Sequence, residues 1–243
     1  MNTNRTVKFS KHHVVDFQDK PTPDIDKDLT FMRLFEQVVD YTMTSKEAVY
    51  AMYSSVNHII NQQIPGAIVE CGVWRGGSAL LAGLILKERH IHDRPIYLYD
   101  TFEGMTPPTE FDVDKYGRTG AEMIEQYADE TGWCYASLEN VKQVFDAQQF
   151  DFETHFIKGD VVQTLETEKP DHIALLRLDT DFYESTRAEF EHLYPRLTSG
   201  GILIIDDYGC WAGSRKATDE YFQDVPAPML IRIDKEVRLA VRV

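Results

Sequence analysis

The chain has 243 residues, 43% of them apolar, enough for one sizeable α/β domain or two small ones. Forty acidic against 25 basic side chains leave a formal charge of −15, which argues against polyanionic partners such as nucleic acid or an anionic membrane. The N-terminus shows no apolar signal region and no run long enough to span a bilayer. Cys71, Cys134 and Cys210 fit neither a disulfide framework nor a C-x-x-C metal site, and point to a reducing cytoplasm.

The first thirty residues are polar, contain Pro21 and Pro23, and read as an arm or lid in which His12 and His13 are solvated. Helical periodicity follows at roughly 30–43 and 45–62, the second stretch opening at Thr44 with Glu47 at capping-box spacing. From Ala67 onward, short apolar runs alternate with helical patterns, the sign of a parallel sheet covered by helices. Strands are expected at 67–71, 95–99, 154–157, 173–178 and 202–205, and helices at 76–89, 119–130, 137–148 and 212–223. Another helix follows Asp179, with Phe190, Leu193, Tyr194 and Leu197 at i, i+3, i+4, i+7 and Pro195 disturbing its last turn. Gly200-Gly201 reads as the turn into the strand at 202. Runs at 229–233 and 237–241, joined by Asp234-Lys235-Glu236, read as an antiparallel hairpin at the sheet edge. Residues 102–118 are too long a loop for a mere connector and are expected to cover a site. Cys71 ends an apolar run and reads as packed core.

Glu70-Cys71-Gly72-Val73-Trp74-Arg75-Gly76-Gly77-Ser78 is a strand–turn–helix junction whose glycines let a backbone approach a ligand. Its G-x-x-x-G-G spacing is not that of dinucleotide binders, and no Walker Lys-Ser/Thr follows. It predicts a nucleoside cofactor without pyrophosphate, or only a tight turn. Asp100, ending the second of these strands, is placed to accept ribose hydroxyls or to cap the following loop. Asp160 repeats the pattern at the third, where an adenine amino group could be read.

Two acidic pairs close apolar runs: Asp179 and Asp181 in L-R-L-D-T-D-F-Y-E-S-T, and Asp206 and Asp207 in G-G-I-L-I-I-D-D-Y-G. On neighbouring strand tips these carboxylates converge, and like charges ~4 Å apart repel by ~4 kcal/mol at an effective dielectric of 20. A compensating cation is expected, and an all-oxygen donor set favours Mg²⁺ over Zn²⁺. Asp179 and Asp181, at i and i+2, share a face if the segment is extended. Asp181, three before Glu184, also has helix-cap spacing, and Asp206-Asp207 also reads as an Asp-rich turn. The same aspartates suit a Mg²⁺-dependent hydrolase of phosphate or ester groups, which would leave Glu70, the Gly-rich turn and Asp100 without a task. A non-catalytic cofactor-binding protein is a third reading. Trp74, Trp211 and Tyr208 lie beside these motifs, where they wall a site or pack.

Through I-V-E-C-G-V-W-R-G-G-S, Y-D-T-F-E-G-M, L-R-L-D-T-D-F-Y-E-S-T and I-I-D-D-Y-G, the chain resembles the macrocin O-methyltransferase family from about Ile64 to Phe222. These are S-adenosylmethionine- and Mg²⁺-dependent enzymes that methylate sugar hydroxyls of antibiotics and related natural products. The resemblance implies an α/β, class I methyltransferase (Rossmann-like) fold: a seven-stranded, mostly parallel sheet with a terminal antiparallel hairpin. The methyltransferase domain would span 63–243, and 1–62 would be an arm and helices covering the substrate rather than an independent domain. Asp179, Asp206 and Asp207 are implied as metal ligands and Asp181 as general base. Glu70, Gly72, Ser78, Asp100 and Asp160 are implied around the cofactor. The expected partner is a small-molecule hydroxyl acceptor, a sugar or glycoside, and a homo-oligomer, dimeric or higher, is anticipated.

Overall fold

Leu-, Ile- and Val-rich runs with no polar face are stable as strands only where helices cover both sides of the sheet. The computed structural model of the chain describes residues 5–8, 14–17, 22–128 and 133–243, and arranges those runs in this way. His12, His13, Pro21 and the last two residues of the helix expected at 119–130 lie outside the described residues. Near the N-terminus, β1 (Arg5–Lys8) and β2 (Val14–Phe17) pair antiparallel in a sheet of their own. The main sheet comprises β3 (Ala67–Cys71), β4 (Ile96–Asp100), β5 (Thr154–Lys158), β6 (Ile173–Leu178), β7 (Leu197–Ile205), β8 (Ile231–Arg232) and β9 (Arg238–Val241). Their spatial order is β5-β4-β3-β6-β7-β9-β8. Strands β3 to β7 run parallel, whereas β9 is antiparallel to β7 and β8 to β9. This is the class I methyltransferase arrangement.

Eight α-helices accompany it among the described residues: α1 (Leu29–Val38), α2 (Lys46–Asn61), α3 (Gly77–Glu88), α4 (Gly120–Gln126), α5 (Leu138–Asp146), α6 (Val161–Thr167), α7 (Tyr183–His192) and α8 (Ala212–Asp224). Strand alternation divides the core. Ile68, Leu98, Ile202 and Ile204 pack with residues of α1, α2 and α3, while Val69, Leu176, Leu178, Leu203 and Ile205 pack with Phe190 of α7. Phe31, Leu34, Val38, Val49, Met52 and Val56 belong to the first of these layers, so the N-terminal helices share the sheet's core. Each such side chain contributes roughly 1.5–3 kcal/mol by leaving water.

Three local expectations are corrected. The cap of α2 is Ser45, whose hydroxyl accepts the Ala48 N–H at 3.1 Å; Thr44 points elsewhere. The helix carrying Phe190 stops at His192, and a 3₁₀ turn over Tyr194–Arg196 contains Pro195, which has no N–H to continue the ladder. Leu197 is therefore the first residue of β7, paired with Ile173, and Gly200-Gly201 forms an irregularity inside that strand rather than a turn before it. Gly200 supplies the left-handed conformation, φ +81°, that this register shift needs. Helix α6 has no counterpart among the expected elements, although Asp160 accepts the Val162 N–H at its start and Val161 and Leu165 are buried.

Candidate active site

Parallel strands deliver their C-terminal ends to one edge of the sheet, and the crevice forms where successive strands depart in opposite directions. Here that point lies between β3 and β6. A cleft of about 1260 Å³ opens there, lined by Glu70, Gly72, Ser78, Asp100, Asp179, Asp181, Asp206 and Asp207. Both acidic pairs thus meet, as the neighbouring-strand argument requires. Register alone places them: Glu70 is the cross-strand partner of Arg177, and the Asp179 and Asp206 amides donate to Cys71 and Leu178 carbonyls, both at 2.9 Å.

Asp179, Asp206 and Asp207 offer carboxylate oxygens within 4.8 Å of one another, and Asp181 falls outside that trio. The guanidinium of Arg177, buried at 3% exposure, donates to Glu70 at 2.7 Å, Asp179 at 2.5 Å and Asp206 at 2.6 Å. Burial disfavours its charge, but those three carboxylates outweigh burial and hold its pKa well above the ordinary value. One cation against this many acids leaves the cluster negative. Burial, together with repulsion from neighbouring aspartates, pushes the carboxyls of Asp179 and Asp207 well above the usual range. Oxygen donors alone, three of them close together and short of positive charge, fit a hard divalent ion.

Asp181 is not extended: φ is +64°, and its amide donates to Asp207 at 3.1 Å. Nor does it cap a helix, since α7 begins after Phe182 with no side-chain cap. Its carboxyl hydrogen-bonds with Asp207 and Trp211, and burial followed by the charge of Asp179 raises its pKa to about 8. Thr44, displaced from its expected capping role, donates instead to Asp206 at 3.4 Å.

The glycine turn has two functions. A Cβ at Gly72, φ +79°, would sit 1.8 Å from the Asp179 carbonyl oxygen, so contact between strand tips alone demands glycine. Asp100 organises the turn by accepting the N–H groups of Val73 (2.7 Å), Trp74 (3.0 Å) and Phe102 (2.6 Å). Three of a carboxylate's roughly four lone-pair sites are thereby taken, leaving about one for a ligand hydroxyl. Glu70 lies on the cleft wall, its carboxylate meeting the Arg177 guanidinium and the Ala79 N–H, and burial raises its pKa to about 7. A buried carboxylate there fits the cationic aminoacid end of a nucleoside sulfonium cofactor. Ser78 is buried and lines the same cleft. The Asp160 carboxylate caps α6, and Gly159 and Val161 on either side of it line the cleft, so Asp160 stands at the margin of the site.

Aromatic side chains wall the remainder. Trp211 and Phe182 pack edge-on at 5.4 Å, and Trp133 lies 5.6 Å from Trp211 and 6.3 Å from Tyr127. Trp74 lines the cleft, whereas Tyr208 donates to Asp219 outside it. The 102–118 loop contributes Met105, Lys115 and Arg118, in keeping with a covering role. Sequence reasoning missed Arg177, Thr44 and Trp133; an arginine inside an otherwise apolar strand was the available signal for the first.

The family model described as Macrocin-O-methyltransferase (TylF) matches residues 4–238. The chain is 31% identical over 197 residues to demethyldecarbamoylnovobiocin O-methyltransferase of Streptomyces niveus, covering 81% of this chain and 73% of that protein. It is 33% identical over 184 residues to mycinamicin III 3''-O-methyltransferase of Micromonospora griseorubida, covering 75% of this chain and 70% of that protein. Among solved structures, the O-methyltransferase NovP superposes with a TM-score of 0.73 at 32% identity, over 84% of this chain and 82% of that one.

Proposed function

Because the chain belongs to the macrocin O-methyltransferase family, and is thereby an S-adenosylmethionine-dependent O-methyltransferase, we propose that it methylates a sugar hydroxyl, free or in a glycosylated natural product, with the aid of Mg²⁺. The observation that carries the metal requirement is the Asp179–Asp206–Asp207 trio, three carboxylates within 4.8 Å that Arg177 only partly neutralises. The names of the two relatives, O-methyltransferases of demethyldecarbamoylnovobiocin and of mycinamicin III, support the acceptor class.

S-adenosylmethionine supplies the methyl group as a sulfonium, and Glu70, Gly72, Ser78 and Asp100 hold it along the strand tips, with Asp160 at their margin. Asp179, Asp206 and Asp207 would hold Mg²⁺, whose charge would lower the acceptor hydroxyl's pKa and keep nearby carboxylates ionised. Asp181 would accept the hydroxyl proton as the oxygen bonds to the methyl carbon, the sulfonium S–CH₃ bond breaks and neutral S-adenosylhomocysteine leaves. Hydrogen bonds to Asp207 and Trp211 orient Asp181 for that proton transfer. Trp133 and Trp211 offer flat apolar faces to the C–H side of a sugar ring and exclude water. The three free cysteines suit a cytoplasmic setting, and a homo-oligomer remains part of the proposal.

Asp207→Asn spares the Arg177–Glu70 pair that Asp206→Asn would disturb, since Asp206 also holds Arg177 and through it Glu70; because Asp207 also contacts Asp181, the metal requirement itself is read from chelation. EDTA should abolish turnover of the wild type, and Mg²⁺ should restore it. In Asp207→Asn the restored rate should fall at least about a hundredfold, while S-adenosylhomocysteine affinity by calorimetry changes less than about threefold. Turnover indifferent to EDTA would remove the metal from this reading.

A further inference from the structure

Beneath the carboxylate loop, α7 turns a glutamate into the core. Glu189 is 0% exposed, and its Oε1 accepts the Thr180 hydroxyl at 2.9 Å. The Cys71 thiol hydrogen-bonds to the same carboxyl. Taking a carboxyl out of water is costly even when it is hydrogen-bonded, and leucine at this helix position would remove that cost.

The location shows what the carboxyl does. Thr180 lies between Asp179 and Asp181, and Cys71 lies between Glu70 and Gly72. One side chain therefore touches the middle residue of both functional strand tips. The loop it holds needs an anchor, since Asp181 adopts a left-handed conformation that a residue with a Cβ resists. Other ties hold its backbone and its acidic side chains: the Asp179 amide donates to Cys71 and the Asp179 carboxylate accepts from Arg177, the Phe182 amide donates to the Thr180 carbonyl at 2.7 Å, and Asp181 meets Asp207 through its amide at 3.1 Å and through its carboxyl. None of these fixes the Thr180 side chain.

We propose that Glu189 is a positioning residue, a buried pin that holds Thr180 against Cys71 and so keeps Asp179 and Asp181 in register with the glycine turn. This rests on the reading of those aspartates as working groups. Burial raises the Glu189 pKa to about 8, so the group is mostly neutral near pH 7 and glutamine reproduces it.

The test compares Glu189→Leu, Glu189→Gln and Thr180→Val in the full chain, by hydrogen exchange of the 179–183 amides, thermal melting and steady-state kinetics. Glu189→Leu and Thr180→Val should each speed exchange in that segment by about tenfold or more, and the double variant should add little, as expected of partners in one contact. The Glu189→Leu midpoint should equal or exceed that of the wild type, kcat should fall about tenfold or more with cofactor KM nearly unchanged, and Glu189→Gln should restore both readouts. Wild-type exchange in Glu189→Leu, or a Glu189→Gln variant as impaired as Glu189→Leu, would overturn the pin. If the wild type methylates no sugar hydroxyl, the functional reading fails separately, and the exchange measurement still decides the role of Glu189.

Discussion

Replacing Gly72 with alanine tests the contact on which the site is built. Its Cβ would lie 1.8 Å from the Asp179 carbonyl oxygen and 2.5 Å from the carbonyl carbon, both backbone atoms, so the tips of β3 and β6 must part by about 1.6 Å to reach an ordinary contact at 3.4 Å. Gly117 provides the control: its φ of +84° is equally left-handed, but nothing lies within 4 Å of a Cβ built there. Gly117→Ala therefore carries backbone strain alone, about 1 kcal/mol. Gly72→Ala adds overpacking and endangers two 2.9 Å hydrogen bonds, from Gly72 N–H to Tyr99 and from Asp179 N–H to Cys71. At about 1 kcal/mol for each bond and 1–3 for overpacking, the total is roughly 4–6 kcal/mol. At about 2–4 °C per kcal/mol for a chain of this size, Gly117→Ala should melt a few degrees low and Gly72→Ala more than about 8 °C low. Urea unfolding followed by circular dichroism measures both. If Gly72→Ala costs no more than Gly117→Ala, the two strand tips are not in contact and the carboxylate trio loses its foundation.

The buried glutamate makes a pH prediction with a definite sign. Burial moves Glu189 from its ordinary 4.5 to about 8, so between those values the folded chain binds a proton that the unfolded chain releases. The associated stability is complete below about pH 4.5 and is lost as pH rises toward 8, amounting to roughly 3–5 kcal/mol over the window. Unfolding free energies of wild type and Glu189→Gln, compared across pH 5–8, should diverge in that direction; parallel profiles would contradict it. In the cleft wall, Trp133→Ala should raise the acceptor KM by about tenfold with little change in cofactor KM, the worth of one stacking ring. Steady-state kinetics with each substrate varied in turn would check this, and an equal rise in both constants would place Trp133 outside the acceptor subsite.

The linear order of residues determined a good deal by itself. Apolar runs ending in Asp100, Asp179 and Asp206 required strands with acidic residues at one edge, because charge within a strand buried on both faces needs a cross-strand partner, as only Glu70 and Arg177 find in β3 and β6. The alternation of these runs with helices determined the parallel sheet, and the composition of the two acidic pairs determined an oxygen-donor cluster. Local ambiguities went unresolved where two neighbouring residues have similar chemistry. Thr44 and Ser45 both suit a helix cap, and packing of α2 chose Ser45, freeing Thr44 for Asp206. Leu197 fits a helical stripe as well as a strand, and pairing with Ile173 decided for the strand. Only the tertiary structure could bring Arg177 opposite Glu70, or set Glu189 under Thr180 and Cys71, 9 and 118 residues away along the chain. Cross-strand register and helix docking are properties of the assembled sheet, and they decide which buried charges meet a partner.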